Sequence, residues 1–177
     1  MMTNVVLAMH GMPPLDFPEN EVMELVRLHR ALEKSGAQVS AEMKSRFGQL
    51  DKKMRAWPRT PENDPFWASS NKLAEALQAA TGLKVVVGYN EFCGPSISEA
   101  LELAVSNGAD RVLVVTPMMT PGGEHSEHDI PEAIELARAC FTHVKFEYVW
   151  PFPVVDIVSF LTSQINSHMK KPENPRS

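Results

Sequence analysis

Four short runs of the chain are almost continuously apolar or β-branched: Asn4 to Met9 (NVVLAM), Leu83 to Tyr89 (LKVVVGY), Arg111 to Thr116 (RVLVVT) and Val144 to Trp150 (VKFEYVW). Runs of this length fit strands covered on both faces of a parallel sheet. Between them, apolar positions recur at helical spacing. Val22, Leu25, Val26, His29 and Leu32 share one face of a helix predicted over 19–35. Phe66, Leu73, Leu77 and Ala80 define a helix over 66–81, opened by Asp64-Pro65 and closed by Gly82. Ile97, Ala100, Leu101, Ala104 and Val105 form a third stripe, which starts at the capping box Ser96-x-x-Glu99 and stops at Asn107-Gly108. Asp129-Ile130-Pro131-Glu132 opens a further helix. Pro153 opens the last, with Val154, Ile157, Val158, Leu161 and Ile165 expected to face inward.

Strands that alternate with helices build βαβ units, so the predicted fold is α/β: a four-stranded parallel sheet with helices on both faces. Right-handed crossovers restrict it to a flavodoxin-like arrangement with strand order 2-1-3-4. About 70 residues separate the first two strands, far more than one crossover helix needs. The surplus is a helical insertion at about 37–65, with a helix over 38–56 and a proline-rich loop from Trp57 to Pro65 (WPRTPENDP). A break near Ser35-Gly36 would send successive helices down, up and down, and would set loop 57–65 at the carboxyl rim of the sheet. Residues 1–169 are read as one α/β domain and 170–177 as a frayed tail.

Composition narrows the function. Apolar residues at 44% and charged residues at 22% are globular values. A net charge of −5 leaves no cationic excess for nucleic-acid phosphates. Cys93 and Cys140 form no metal-spacing pair and point to a reducing compartment. The apolar start, Met1 to Gly11, lacks a basic leader and falls short of the ~20 residues of a membrane span. The expectation is a cytoplasmic protein with no membrane partner. No nucleotide is expected either: Gly122-Gly123 lacks phosphate-loop spacing and lies beside acids.

Ligands of open parallel sheets bind beyond the carboxyl ends of the strands. Strand one ends in His10-Gly11-Met12-Pro13-Pro14, and strand two in Asn90-Glu91-Phe92-Cys93-Gly94-Pro95. Strand three runs from Thr116 to Glu124-His125. His10, Glu91 and His125 thus converge on one edge as an imidazole–carboxylate set suited to Fe, Co, Ni or Zn. The helix starting at Asp129 is expected to help keep the His125 ring neutral. A single histidine after a strand is ordinarily a hydrogen-bonded loop residue; the convergence of two with an acid argues for more. His128 is read as a solvated loop residue and His29 as a core histidine. Cys93 is read as a small buried apolar side chain rather than a soft ligand, and Met118-Met119 as the floor of an apolar pocket.

These motifs resemble the class II tetrapyrrole chelatases, a family that includes the sirohydrochlorin cobaltochelatases and ferrochelatases. The resemblance rests on His10-Gly11, Glu91-Phe92-Cys93-Gly94-Pro95, and Pro117 through Gly123-Glu124-His125-Ser126-Glu127-His128-Asp129-Ile130-Pro131. It covers about 3–16 and 66–165. It implies ATP-independent insertion of Co²⁺, Fe²⁺ or Ni²⁺ into a sirohydrochlorin-like tetrapyrrole, with His10 and His125 as metal residues and Glu91 as the acid beside them. It also implies a homodimer with the tetrapyrrole cleft near the interface. Gly94 stands where the family often has a second acid, His128 where it has a basic residue, and the insertion is foreign to its short members.

A uroporphyrinoid substrate carries many carboxylates, which calls for cations at the rim. Residues 44–59 hold Lys44, Arg46, Lys52, Lys53, Arg55 and Arg59 against Asp51 alone, a local charge of +5. Lys52, Arg55 and Arg59 are the candidates for substrate contact; a solvated helix face is the plainer alternative. Two other functions use the same His/Glu site: a metal hydrolase in which the ion activates water, and a tetrapyrrole or metal carrier without turnover.

Overall fold

The computed structural model describes residues 1–35 and 40–170. The elements are β1 (Thr3–Met9), α1 (Glu19–Ser35), α2 (Ala41–Arg55), α3 (Pro65–Thr81), β2 (Lys84–Tyr89), α4 (Ile97–Ser106), β3 (Arg111–Val115), α5 (Ile130–Cys140), β4 (Lys145–Tyr148) and α6 (Val154–Met169), with a π-helical turn at His125–Asp129. The four strands form a parallel sheet in the order β2-β1-β3-β4, the order expected of the flavodoxin-like class. Among the described residues no helix is long and apolar enough to cross a membrane.

Alternation along the strands divides the core. Val6, Ala8, Val112, Val114 and Phe146 face α4 and α5, where Ile97, Ala100, Leu101, Ala104, Ile130, Ile134 and Ala137 bury against them. Leu7, Met9, Val87 and Tyr89 face the other way, toward α3, with Ala74, Phe66 and Trp67. The predicted caps form: Ser96 and Glu99 make a reciprocal capping box on α4, and Asp64 accepts from Trp67 N with Pro65 in the first turn of α3.

The insertion has a core of its own. Leu50 and Met54 of α2 pack with Phe17, Leu25 and Leu28, joined by Phe47, Trp57 and Phe92. Ion pairs Arg46–Glu24 and Lys53–Glu21 tie α2 to α1; being part-exposed and screened by solvent, they align the helices more than they stabilise them. Ser40 caps α2, so the helix begins a few residues after the predicted 38. The predicted break near Ser35-Gly36 and the tail from 171 onward lie outside the described residues.

The last helix departs from expectation. None of its residues is buried, and Val154, Val158, Leu161 and Ile165, expected inward, are exposed. Their spacing follows the apolar stripe of an amphipathic helix, but α4 and α5 already fill the face of the sheet against β3 and β4. The stripe has no partner among the described residues.

Candidate metal centre

The rim is assembled by pairing that continues past the strands. Met9 lies opposite Tyr89 in the β1–β2 register. Beyond it, Asn90 N donates to Met9 O and Glu91 N to His10 O, each at 2.9 Å, so His10 and Glu91 are fixed side by side. Gly11 makes this possible. It has φ +104°, and a Cβ there would lie 1.9 Å from the Glu91 carbonyl oxygen, closer than any side chain allows. Phe92 adopts φ +57°, and Cys93 N donates back to Glu91 O at 2.6 Å, closing a tight turn around Glu91.

His125 arrives from the other side, on the π-helical turn that runs into α5. The turn is anchored three ways. Ser126 Oγ donates to Gly123 O at 3.1 Å, Tyr148 Oη donates to Ser126 O at 3.1 Å, and the Glu127 carboxylate accepts from Gly122 N at 2.8 Å.

The three predicted donors come together. One ligand atom each from His10, Glu91 and His125 lies within 4.8 Å of the others, and the two imidazoles meet edge to face with centroids 4.6 Å apart. His125 Nε2 is 3.4 Å from Glu91 Oε1. Bonds of about 2.1 Å in a tetrahedral shell place adjacent ligands roughly 3.4 Å apart, so this edge already has coordination geometry. A separation at the 4.8 Å bound would have to close by roughly 1.4 Å to reach that spacing. The tautomers are set by acceptors: His10 Nδ1 donates to Gly11 O at 2.9 Å and His125 Nδ1 to Asp129 Oδ2 at 2.5 Å. Each ring then offers its Nε2 lone pair. His10 is exposed while Glu91 and His125 are part-buried, leaving the cluster accessible from solvent.

Asp129 was not anticipated as a partner. Read as a helix opener, it makes no side-chain cap on α5 and instead orients His125 through a carboxylate–imidazole bond, the usual outer partner of a metal-binding histidine. That carboxylate, rather than the helix terminus alone, sets the ring. The signal was the four-residue spacing His125–Asp129, one helical turn.

The expected substrate contacts fare unevenly. Lys52 is exposed beside Gly94 and Ser96, lining an open groove of about 620 Å³. Arg55 lines that groove but pairs with Asp51 and binds backbone carbonyls. Arg59 is a correction: its side chain is only 5% exposed, in an ion pair with Asp64 at 2%. It is an internal strut, not a cation offered to solvent. Met118 also departs from expectation, since it packs on the α4–α5 core and its carbonyl accepts from Trp150 Nε1; Met119 is part-buried. The local +5 is largely consumed, because Arg46, Lys53, Arg55 and Arg59 all face carboxylates.

Cys93 is buried, burial pushes its thiol up to about 11, and it is not among the donors grouped with His10, Glu91 and His125. His128 is exposed. His29 stacks on Phe47 at 5.8 Å in the α1–α2 interface. A Cβ at Gly94 would stand 3.1 Å from the Arg55 carbonyl oxygen: the insertion crowds the position where the resemblance anticipates an acid.

Fold and rim together define a doubly wound α/β domain with a three-donor cluster at the carboxyl ends of its strands. The CbiX family model matches residues 64–159, and the chain belongs to the CbiX family. It is similar to a sirohydrochlorin cobaltochelatase of Priestia megaterium, 33% identical over 88 residues, which are 49% of this chain and 28% of that protein. A sirohydrochlorin ferrochelatase of the same organism is 33% identical over 81 residues, 45% of this chain and 30% of the relative. The matches thus span less than a third of these relatives' own lengths. Among solved structures, a Marinobacter aquaeolei VT8 protein assigned to CbiX and cobalamin biosynthesis shares the fold at TM-score 0.52 and 15% identity, covering 96% of this chain and 99% of that one. Glu91 and His125 fall inside the family match; His10 and most of the insertion fall outside it.

Proposed function

We propose that this chain inserts Co²⁺, Fe²⁺ or Ni²⁺ into a sirohydrochlorin-like tetrapyrrole, using His10, Glu91 and His125. The observation that carries this reading is the convergence of those three donors at one open rim of a CbiX domain. Relatives named for cobalt and for iron insertion support it.

The chemistry follows from the donor set. Three donors hold a divalent ion weakly enough for the four ring nitrogens of a macrocycle to take it over. Two pyrrole protons must leave as the metal enters, and a neutral imidazole or a carboxylate at the site accepts them. His10, the most exposed of the three, serves as base; His125, braced by Asp129, and Glu91 hold the ion. Lys52, exposed along the groove beside Gly94, meets substrate carboxylates. A second copy of the chain completes the assembly, a reading supported by the uncovered apolar stripe of α6. The free thiols of Cys93 and Cys140 fit a cytoplasmic setting.

The test is anaerobic incubation with sirohydrochlorin and each metal, followed by the absorbance of the macrocycle. Insertion should be accelerated over the protein-free rate and should fall to that rate in His10→Ala and His125→Ala. Unaltered rates in both variants would remove the proposed roles.

A further inference from the structure

The insertion reaches into the rim through two guanidinium groups. Arg55 Nη1 donates to Cys93 O and Nη2 to Asn90 O, both at 2.9 Å, with a longer approach of Nη1 to Tyr89 O at 3.5 Å. Arg59 Nη2 donates to Phe92 O at 2.5 Å, and its Nη1 to Met12 O at 2.8 Å and to Asp64 Oδ2 at 2.5 Å. The carbonyl of Glu91 itself accepts from Cys93 N. Every backbone carbonyl from Tyr89 to Cys93 is therefore engaged, four of them by these two arginines.

The arginines are themselves braced. Asp51 takes Arg55 Nε at 2.9 Å, and Asp64, which caps α3 through Trp67 N, takes Arg59. The loop they grip is anchored by packing at Tyr89, Phe92 and Cys93, but its Asn90–Glu91 side is open. A cavity of about 280 Å³ lies between α1, α2 and the loop, lined by Leu25, Phe47, Arg55, Asn90, Glu91 and Phe92. The loop also carries the left-handed Phe92, a conformation that persists only where surrounding bonds enforce it. Arg59 touches the His10 side as well, through Met12, so one side chain links the β1 and β2 rims.

We propose that Arg55 and Arg59 are positioning residues, a clamp by which the insertion holds Glu91 in register with His10 and His125. The proposal rests on the reading of those three residues as a metal centre. A guanidinium spreads five donors over a rigid planar fork and so reaches two carbonyls and a carboxylate that stand apart; the three donors of an ammonium radiate from a single nitrogen. The insertion thus acts on the metal without contributing a ligand to it, and its arginines serve backbone geometry ahead of substrate charge.

The test uses the full chain and Co²⁺ alone, followed by visible absorption and by amide exchange of the metal-free protein. Arg55→Lys keeps the charge opposite Asp51 but loses the fork, and Arg59→Lys does the same opposite Asp64. Either should weaken Co²⁺ binding about 10–100-fold, the range for outer partners of metal ligands. Either should also change the cobalt band shape and speed exchange at Asn90, Glu91 and Cys93 at least ~10-fold. Arg46→Ala, which breaks an insertion ion pair facing α1, should leave all three unchanged. Wild-type cobalt binding with unaltered affinity and exchange in both lysine variants would overturn the clamp. A wild-type chain that binds no Co²⁺, or binds it equally after His10→Ala, would overturn the metal centre and the clamp with it.

Discussion

Asp129 Oδ2 sits 2.5 Å from His125 Nδ1, one helical turn further along the chain. The pair fixes both the orientation of the ring and which nitrogen is left to face Glu91. Asp129→Ala should therefore lower Co²⁺ affinity about 10–100-fold. Asp129 is exposed, so the change in unfolding free energy should stay within about 1 kcal/mol. Calorimetric titration beside urea denaturation separates the two quantities. Undiminished affinity would strip Asp129 of its orienting role.

Two glycine replacements should act with opposite sign. Gly11→Ala puts a Cβ against the Glu91 carbonyl at a left-handed backbone position, and should cost about 3 kcal/mol or more while spreading His10 from Glu91. Gly48 is exposed within α2, with nothing within 4 Å of its would-be Cβ. Gly48→Ala should stabilise by roughly 0.5–1 kcal/mol, the helix-propensity difference. Urea midpoints decide both. A neutral Gly11→Ala would mean that the β1 and β2 rims are not as closely joined as described.

Local patterns made much of this legible. The buried strands announced themselves as apolar runs, their flavodoxin-like class supplied the order, and their parallel direction brought His10, Glu91 and His125 to one edge. Side chains whose roles depend on what lies opposite were not legible. Arg59 is cationic in sequence, yet its use is set by Asp64 and by the carbonyls of Met12 and Phe92, which only the folded chain brings near. Met118 belongs to the core because Trp150 pins its backbone. The stripe on α6 was legible as apolar, but its exposure was not, because that follows from α4 and α5 already filling the face of the sheet.

Acid should expose one tie at the edge of the sheet. Glu147 on β4 accepts from Arg111 on β3 at 2.8 and 2.9 Å and from Lys145 at 2.7 Å. Arg111 first, then Lys145, hold its carboxyl down at about 2 against an ordinary 4.5. Because the folded value is depressed, the stabilisation is complete above about pH 4.5 and is lost as pH falls toward 2. Glu147→Gln should be less stable than wild type at pH 7, with a shallower decline between pH 4.5 and 2. Urea midpoints across that window are the measurement, and parallel declines would show that Glu147 contributes nothing to acid sensitivity.

The exposed stripe of α6 carries the clearest structural demand for a partner. Val154, Val158, Leu161 and Ile165 lie along one side of the helix and all are exposed. Full burial of such side chains is worth roughly 1.5–3 kcal/mol each, while an isolated helix of α6's 16 residues is only marginally stable in water. A second copy offering the same stripe would satisfy both helices symmetrically. Light scattering should then give twice the chain mass at micromolar concentration. Leu161→Asp with Ile165→Asp should return it to one chain and speed amide exchange along 154–169. A monomeric wild type whose α6 nonetheless resists exchange would require the stripe to be covered from within the same chain.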